Sequence, residues 1–322
     1  MTRLKSLAMA ALAAVSLLPS GVQAADLRIG LITPPPHRWT LGANALSEAL
    51  AKESGGKHSL SVFHSGQLGN EGQLLQLLQS GALDMAFLTV GELTNRDQDF
   101  GILTAPYLVK DAVAAAKLLE GETAKSLLEK LPALGLKGFD FALAGMRIVL
   151  LSKPLGEDGT VAGRKIRTVP LAQELDFWTR AGAAPTPLPL PDLFDAYTNG
   201  QIDGMQLDLE GTFNNKFYDY SAAVLDTQHM IFPMVAVFSG RKWATLSEED
   251  KTLISRLVAE ETARIRADYP GIDEAYREKL KAVGAPVIAA GPEVFGNAVE
   301  TWYAEWNKRT PLLEQLVTEA KQ

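Results

Sequence analysis

The sequence predicts an α/β protein of two lobes facing each other across a cleft, and three observations carry that reading. First, one short unit occurs twice: an apolar helix-like run, then Gly, one residue, an aliphatic residue and Asp. The copies are Leu74–Asp84, turning at Gly81, and Leu193–Asp203, turning at Gly200. Gly just past a helix adopts the left-handed conformation without a Cβ penalty. Each copy then runs into a short apolar stretch, Met85–Thr89 or Gly204–Leu207. Any α/β protein can close a helix in this way, so the repeat alone leaves other α/β folds open. Second, the N-terminal third reads β-α-β-α-β, the order of a mostly parallel sheet covered by helices. Third, no low-complexity linker divides the chain, so two lobes would be joined by sheet strands and a long helix. A cleft between lobes is where a small ligand sits.

The elements follow in order. Leu27–Thr33 alternates apolar and polar residues as a strand does, and Pro34-Pro35-Pro36 stops it because proline donates no ladder hydrogen bond. A helix from about Trp39 to Glu53 spaces Leu41, Ala45, Leu46 and Leu50 for a buried face, with Gly55-Gly56 ending it. Ser59–Phe63 is the next strand, Asn70–Gln79 the next helix and Met85–Thr89 a third strand. Lys137–Ala144 and Arg147–Leu151 read as strands separated by Gly145, and Lys165–Val169 as another. Gln173–Arg180 and Pro191–Thr198 are predicted helices, and Met234–Ser239 a buried strand. Thr245-Leu246-Ser247-Glu248 is a capping-box signature that opens a helix over Glu248–Tyr269, ended by Pro270-Gly271. Helices over Ile272–Val283 and Pro292–Ala320 flank a short strand at Pro286–Ala290. The lobes divide as 25–146 plus about 233–270, and 147–232 plus about 271–322.

Residues 1–24 have the layout of a secretory signal peptide. Arg3 and Lys5 are basic, Leu7–Leu18 is apolar, and Val22-Gln23-Ala24 is a small-residue cleavage site. The apolar stretch is shorter than the roughly 20 residues that span a bilayer, so the mature chain is expected to be soluble and exported. With no Cys there is no lipid anchor, disulfide or thiolate chemistry. Loss of Arg3 and Lys5 takes the formal charge from −7 to −9, which argues against nucleic acid or an anionic membrane surface as partner. An anionic ligand would then need a locally positive cleft.

Gly163-Arg164-Lys165-Ile166-Arg167 is the sharpest local signal. Strand alternation puts Lys165 and Arg167 on one face, and guanidinium offers a planar fork that matches a carboxylate in two hydrogen bonds. Arg147, opening the preceding strand, is placed to assist, although surface ion pairing is the commoner use of such residues. His37, His58, His64 and His229 make no metal-binding spacing, and no nucleophile elbow, P-loop or dinucleotide fingerprint occurs. No catalytic residue, metal or cofactor is therefore expected. Of the five Trp residues, Trp39 stands out because, with His37, it follows the first strand, where ligands of parallel sheets bind.

Taken together, these segments resemble the solute-binding proteins of TRAP transporters, DctP type. The matching stretches stand in order: Ser65–Glu71, Gly81–Met85, Ala105–Leu108, Gly145-Met146-Arg147, Gly163–Arg167, Asn199–Gly204 and Trp243–Leu246. The resemblance implies a two-lobed periplasmic binding protein with crossing strands and a long lobe-spanning helix, which captures an organic acid and delivers it to TRAP transporter membrane subunits. A sensory module presenting its ligand to a receptor is the alternative, and a periplasmic enzyme on this scaffold a third. The resemblance also implies that Arg167 holds the ligand carboxylate and Arg147 assists. His37, Trp39, Asn70 and Thr89, which follow strands of the first lobe, are then expected to close on the ligand. One departure stands out: the acidic position after Asp203-Gly204 is the neutral Gln206, followed by Leu207. Gln206 is then expected to meet the ligand in a pocket suited to a partly apolar acid.

Overall fold

The computed structural model describes residues 25–322, so the signal peptide expected over 1–24 lies outside the described residues. The first elements are β1 (Ala25–Gly30), α1 (Arg38–Glu53), β2 (His58–Phe63), α2 (Glu71–Ser80), β3 (Met85–Thr89), α3 (Val90–Thr94), α4 (Ala112–Leu119) and α5 (Glu122–Leu128). The middle holds β4 (Leu136–Leu151), β5 (Lys165–Thr168), α6 (Ala172–Arg180), β6 (Ala184–Pro187), α7 (Leu193–Thr198), β7 (Gly204–Asp208), α8 (Leu209–Asn214) and β8 (Ala223–Asp226). The chain ends with β9 (Ile231–Ser239), α9 (Gly240–Trp243), α10 (Glu248–Ala282), β10 (Val287–Ala289), α11 (Ala298–Arg309) and α12 (Leu312–Glu319).

The strands follow the path β2-β1-β3-β9-β4-β7-β5-β6, with β8 beside β4 and β10 beside β8. β4 divides this path into two lobes. Its first part, Leu136–Met146, pairs antiparallel with β9, whereas Arg147–Leu151 pairs with β7 and Val149–Leu151 with β8. Within each lobe the remaining strands are parallel: β1 with β2 and β3, and β5 with β6 and β7. The expected mostly parallel sheet is thus mixed, because the crossing strands β4 and β9 run against both sets.

The two copies of the repeated unit occupy equivalent places, one per lobe. α2 ends at Gly81 (φ 80°) and α7 runs out through Gly200 (φ 69°), each leading into a strand, β3 or β7. The Asp of each copy then does the same work. Asp84 accepts a hydrogen bond from the Arg28 amide of β1 (2.9 Å), and Asp203 accepts one from the Lys165 amide of β5 (2.8 Å).

Three expectations are corrected. Gly145 does not separate two strands; β4 is continuous, and Gly145 (φ 73°) sits at an irregularity in its pairing with β9. There the Met146 amide turns to donate to Asp273 of α10 (3.0 Å), whose carboxylate occupies the space a Cβ at Gly145 would need. Pro270 does not end a helix either: α10 runs for 35 residues through it. Proline forfeits one intrahelical hydrogen bond, but Tyr269 and Asp273 on either side are buried, and this packing holds the helix together. The helix expected over 292–320 breaks at Thr310-Pro311 into α11 and α12, as proline dictates. The C-terminal end reaches back to the N-terminal half, where Thr310 bonds Asp99 and Glu319 receives the Thr123 hydroxyl, both at 2.7 Å.

Candidate functional site

The strand ends of both lobes meet at a cavity of about 160 Å³. The walls differ in character. From the first lobe come Thr33, His37, Asn70, Glu71, Thr89 and Glu92, with Trp39 and Ile32; from the second come Arg147, Arg167 and Asp208 set among Val169, Leu171, Leu190, Leu207 and three prolines. Contact across the cleft is tight: a Cβ at Gly91 would lie 2.9 Å from second-lobe Leu171.

Arg167 is carried by β5 and is 2 % exposed. Its Nε donates to the Leu188 carbonyl (2.9 Å), which fixes the plane of the guanidinium. Among the described residues, its two terminal nitrogens make no hydrogen bond or ion pair. Burial and the neighbouring Arg147 lower its pKa to about 10, so it remains cationic at neutral pH. Arg147 stands where β4 changes lobes and is held differently. Nη1 donates to Asp208 (3.0 Å), and the guanidinium carbon sits 3.5 Å above the Phe232 ring centre, a cation–π contact.

The carboxyl of Glu71 faces the same cavity from the first turn of α2. It accepts from the Thr89 amide (2.5 Å) and hydroxyl (2.8 Å). Burial pushes it up to about 7 against those bonds, with Glu92 adding repulsion and Arg167 opposing it. Asn70 caps α2 through a reciprocal capping box with Gln73, which leaves its amide nitrogen for the cavity. His37 caps α1 by accepting the Trp39 amide on Nδ1 (3.1 Å), and burial lowers it to about 4, so it is neutral. Trp39 is fixed by donation from its indole to the Leu143 carbonyl (2.9 Å).

Arg167, Arg147, His37, Trp39, Asn70 and Thr89 are therefore brought together on one cavity, but Gln206 is not among the residues lining it. Gln206 lies on β7 behind its C-terminal end, where Leu207 and Asp208 line the cavity. Its amide nitrogen donates to Thr168 (2.8 Å) and to Glu174, and its oxygen is 3.0 Å from His229 Nε2. His229 is neutral, lowered to about 3 by burial, and Glu174 is pushed up to about 7 by burial. A second carboxylate at 206 would face Glu174 without a donor between them, so the neutral amide completes this wall. The sequence reading missed Glu71, Glu92, Asp208 and Phe232. Only Asn70, a helix-opening residue next to Glu71, offered a signal, since a cap directs the first turn toward the strand ends.

Comparison with known proteins agrees with this architecture. The family model for bacterial extracellular solute-binding proteins, family 7, matches residues 29–309. The sugar acid binding protein from Advenella mimigardefordensis, solved with galactonate, superposes with a TM-score of 0.86 at 25 % identity, covering 93 % of this chain and 98 % of that one. The 2,3-diketo-L-gulonate-binding periplasmic protein of Escherichia coli is 26 % identical, with 93 % of each chain covered. A C4-dicarboxylate-binding periplasmic protein of Rhodobacter capsulatus is 25 % identical over 93 % of this chain and 88 % of its own. With the match spanning both lobes and the cavity between them, the chain belongs to the bacterial extracellular solute-binding protein family 7.

Proposed function

We propose that this chain is a periplasmic receptor that captures an organic acid between its lobes and hands it, unaltered, to the membrane subunits of a TRAP-type transporter. One observation carries the reading: a buried guanidinium, Arg167, presents two terminal nitrogens, unpartnered among the described residues, to a cavity closed by both lobes. An unpaired buried cation is costly, and a carboxylate that accepts from both nitrogens removes that cost while supplying charge-assisted bonds. Because the first-lobe wall can reach such a ligand only when the lobes meet, binding and closure are coupled. Relatives of comparable identity that bind galactonate, 2,3-diketo-L-gulonate or C4-dicarboxylates support an acid as ligand. In this proposal the lobes comprise 25–146 plus about 233–270, and 147–232 plus about 271–322, and move about the crossing strands and α10.

A thermal-shift comparison of carboxylic acids with their primary amides tests this reading. The acids are expected to raise the melting temperature and the amides to leave it unchanged, with mass spectrometry recovering the acid intact after incubation. Equal shifts from acid and amide, or a chemically altered acid, would contradict it.

A further inference from the structure

Relatives at nearly the same identity bind ligands with one carboxylate or with two, so similarity does not decide which kind enters this cavity. The charges facing it do. Of the two arginines, Arg147 is already neutralised, paired at 3.0 Å with Asp208 and covered by the Phe232 ring. That leaves Arg167 as a cation whose terminal nitrogens are unpartnered among the described residues. The opposite wall carries carboxyls: Glu71, bonded only to Thr89, and Glu92, which makes no hydrogen bond or ion pair among the described residues. His37, the remaining basic side chain on the cavity, already spends Nδ1 on the Trp39 amide and turns Nε2 toward Glu210 at 3.6 Å.

Resting on the acid-capture reading above, we infer that the cavity selects a monocarboxylate whose other end is uncharged and bears hydroxyl donors, and that Glu71 and Glu92 reject a second carboxylate. The carboxylate meets Arg167 from the second lobe. Hydroxyls at the far end donate to Glu71 and Glu92 on the first-lobe wall and accept from the Asn70 amide nitrogen. A dicarboxylate placed the same way sets its second charge against two carboxyls, and among the described residues no second unpaired cation lines the cavity, the juxtaposition by which binding sites exclude wrong partners. Burial raises both carboxyls above their ordinary range, so the rejection acts where they are ionised, above about pH 7 for Glu71.

The test uses matched pairs that differ only at one terminus: D-galactonate against galactarate, and γ-hydroxybutyrate against succinate, titrated calorimetrically into the mature chain. In each pair that binds, the monocarboxylate is expected to bind about 100-fold more tightly. Glu71→Gln, which keeps size and shape, is expected to narrow that ratio about tenfold by admitting the dicarboxylate. Glu92→Gln serves as the second variant should Glu71→Gln lower the melting temperature. A dicarboxylate binding as tightly as its partner, or a ratio unchanged in both variants, overturns the inference while leaving acid capture intact. If no member of either pair binds and no other carboxylate raises the melting temperature, acid capture itself fails, and this inference fails with it.

Discussion

Arg147 on β4 and Arg167 on β5 face one cavity from either side of β7, yet the fold treats them in opposite ways. Arg147, at the point where β4 leaves one lobe for the other, has its charge met by Asp208 and its flat face covered by Phe232. Arg167, on β5, is tethered through Nε, and among the described residues its terminal nitrogens at the cavity have no other partner. The difference separates architecture from function. A buried charge with its counter-charge in place belongs to the structure of the closed molecule. A buried charge without one is a standing cost, retained because something else supplies the counter-charge.

That contrast can be broken most forcefully at Arg147. Arg147→Ala leaves Asp208 buried without its partner and uncovers Phe232, a loss of about 3–5 kcal/mol in unfolding free energy, measurable by urea denaturation. A variant of native stability would mean the pair is not structural. A smaller effect is expected behind the wall: Gln206→Glu replaces the donor between Thr168, Glu174 and His229 with a second acid, costing about 1–3 kcal/mol. Because Gln206 does not line the cavity, the variant is expected to retain ligand preference across a carboxylate panel. A changed preference would return Gln206 to the ligand.

The smallest expected effect is on pH. Burial raises Glu71, Glu174 and Asp273 to about 7 and Glu210 to about 8. In the unfolded chain these acids lose their protons near their ordinary values, whereas the folded chain retains them. Their contribution is therefore complete below about pH 4 and is lost as pH rises through 7 to 8. His37 and His229, lowered to about 4 and 3, tilt stability the other way, but only below about 6.5, where the unfolded imidazole titrates. Between pH 6.5 and 8 the acids are unopposed by these histidines, so the melting temperature is expected to fall by a few degrees. A flat or rising melting temperature over that range would show that these carboxyls are ionised in the folded chain.

Much of this arrangement is legible in the sequence, and the rest fails for identifiable reasons. The twin Gly turns, the helix opening at Asn70 and the Arg167 strand depend on neighbours in sequence, and each is found in place. Pro270 and Gly145 mislead because tertiary contacts override local preference. The packing around Tyr269 and Asp273 carries α10 through the proline, and the same Asp273 fills the space beside Gly145 and receives the Met146 amide. Gln206 misleads for a simpler reason: the cavity meets β7 only at its C-terminal end, at Leu207 and Asp208, and a motif shared with relatives does not state how far along a strand a cavity reaches. Asp208 and Phe232 were invisible because their importance comes from Arg147, which the pairing of β4 with β7 brings to Asp208 and its pairing with β9 brings to Phe232.

The central claim is that Arg167 is the vacant cation to which the ligand carboxylate binds. Calorimetric titration of the native chain and Arg167→Ala, with the monocarboxylate that gives the largest thermal shift, tests it most directly. Removing one partner of a desolvated charge pair costs about 2–5 kcal/mol, so affinity is expected to fall about 30-fold or more, while the ligand-free variant melts no lower than the native chain. Equal affinity in the two proteins would contradict the account.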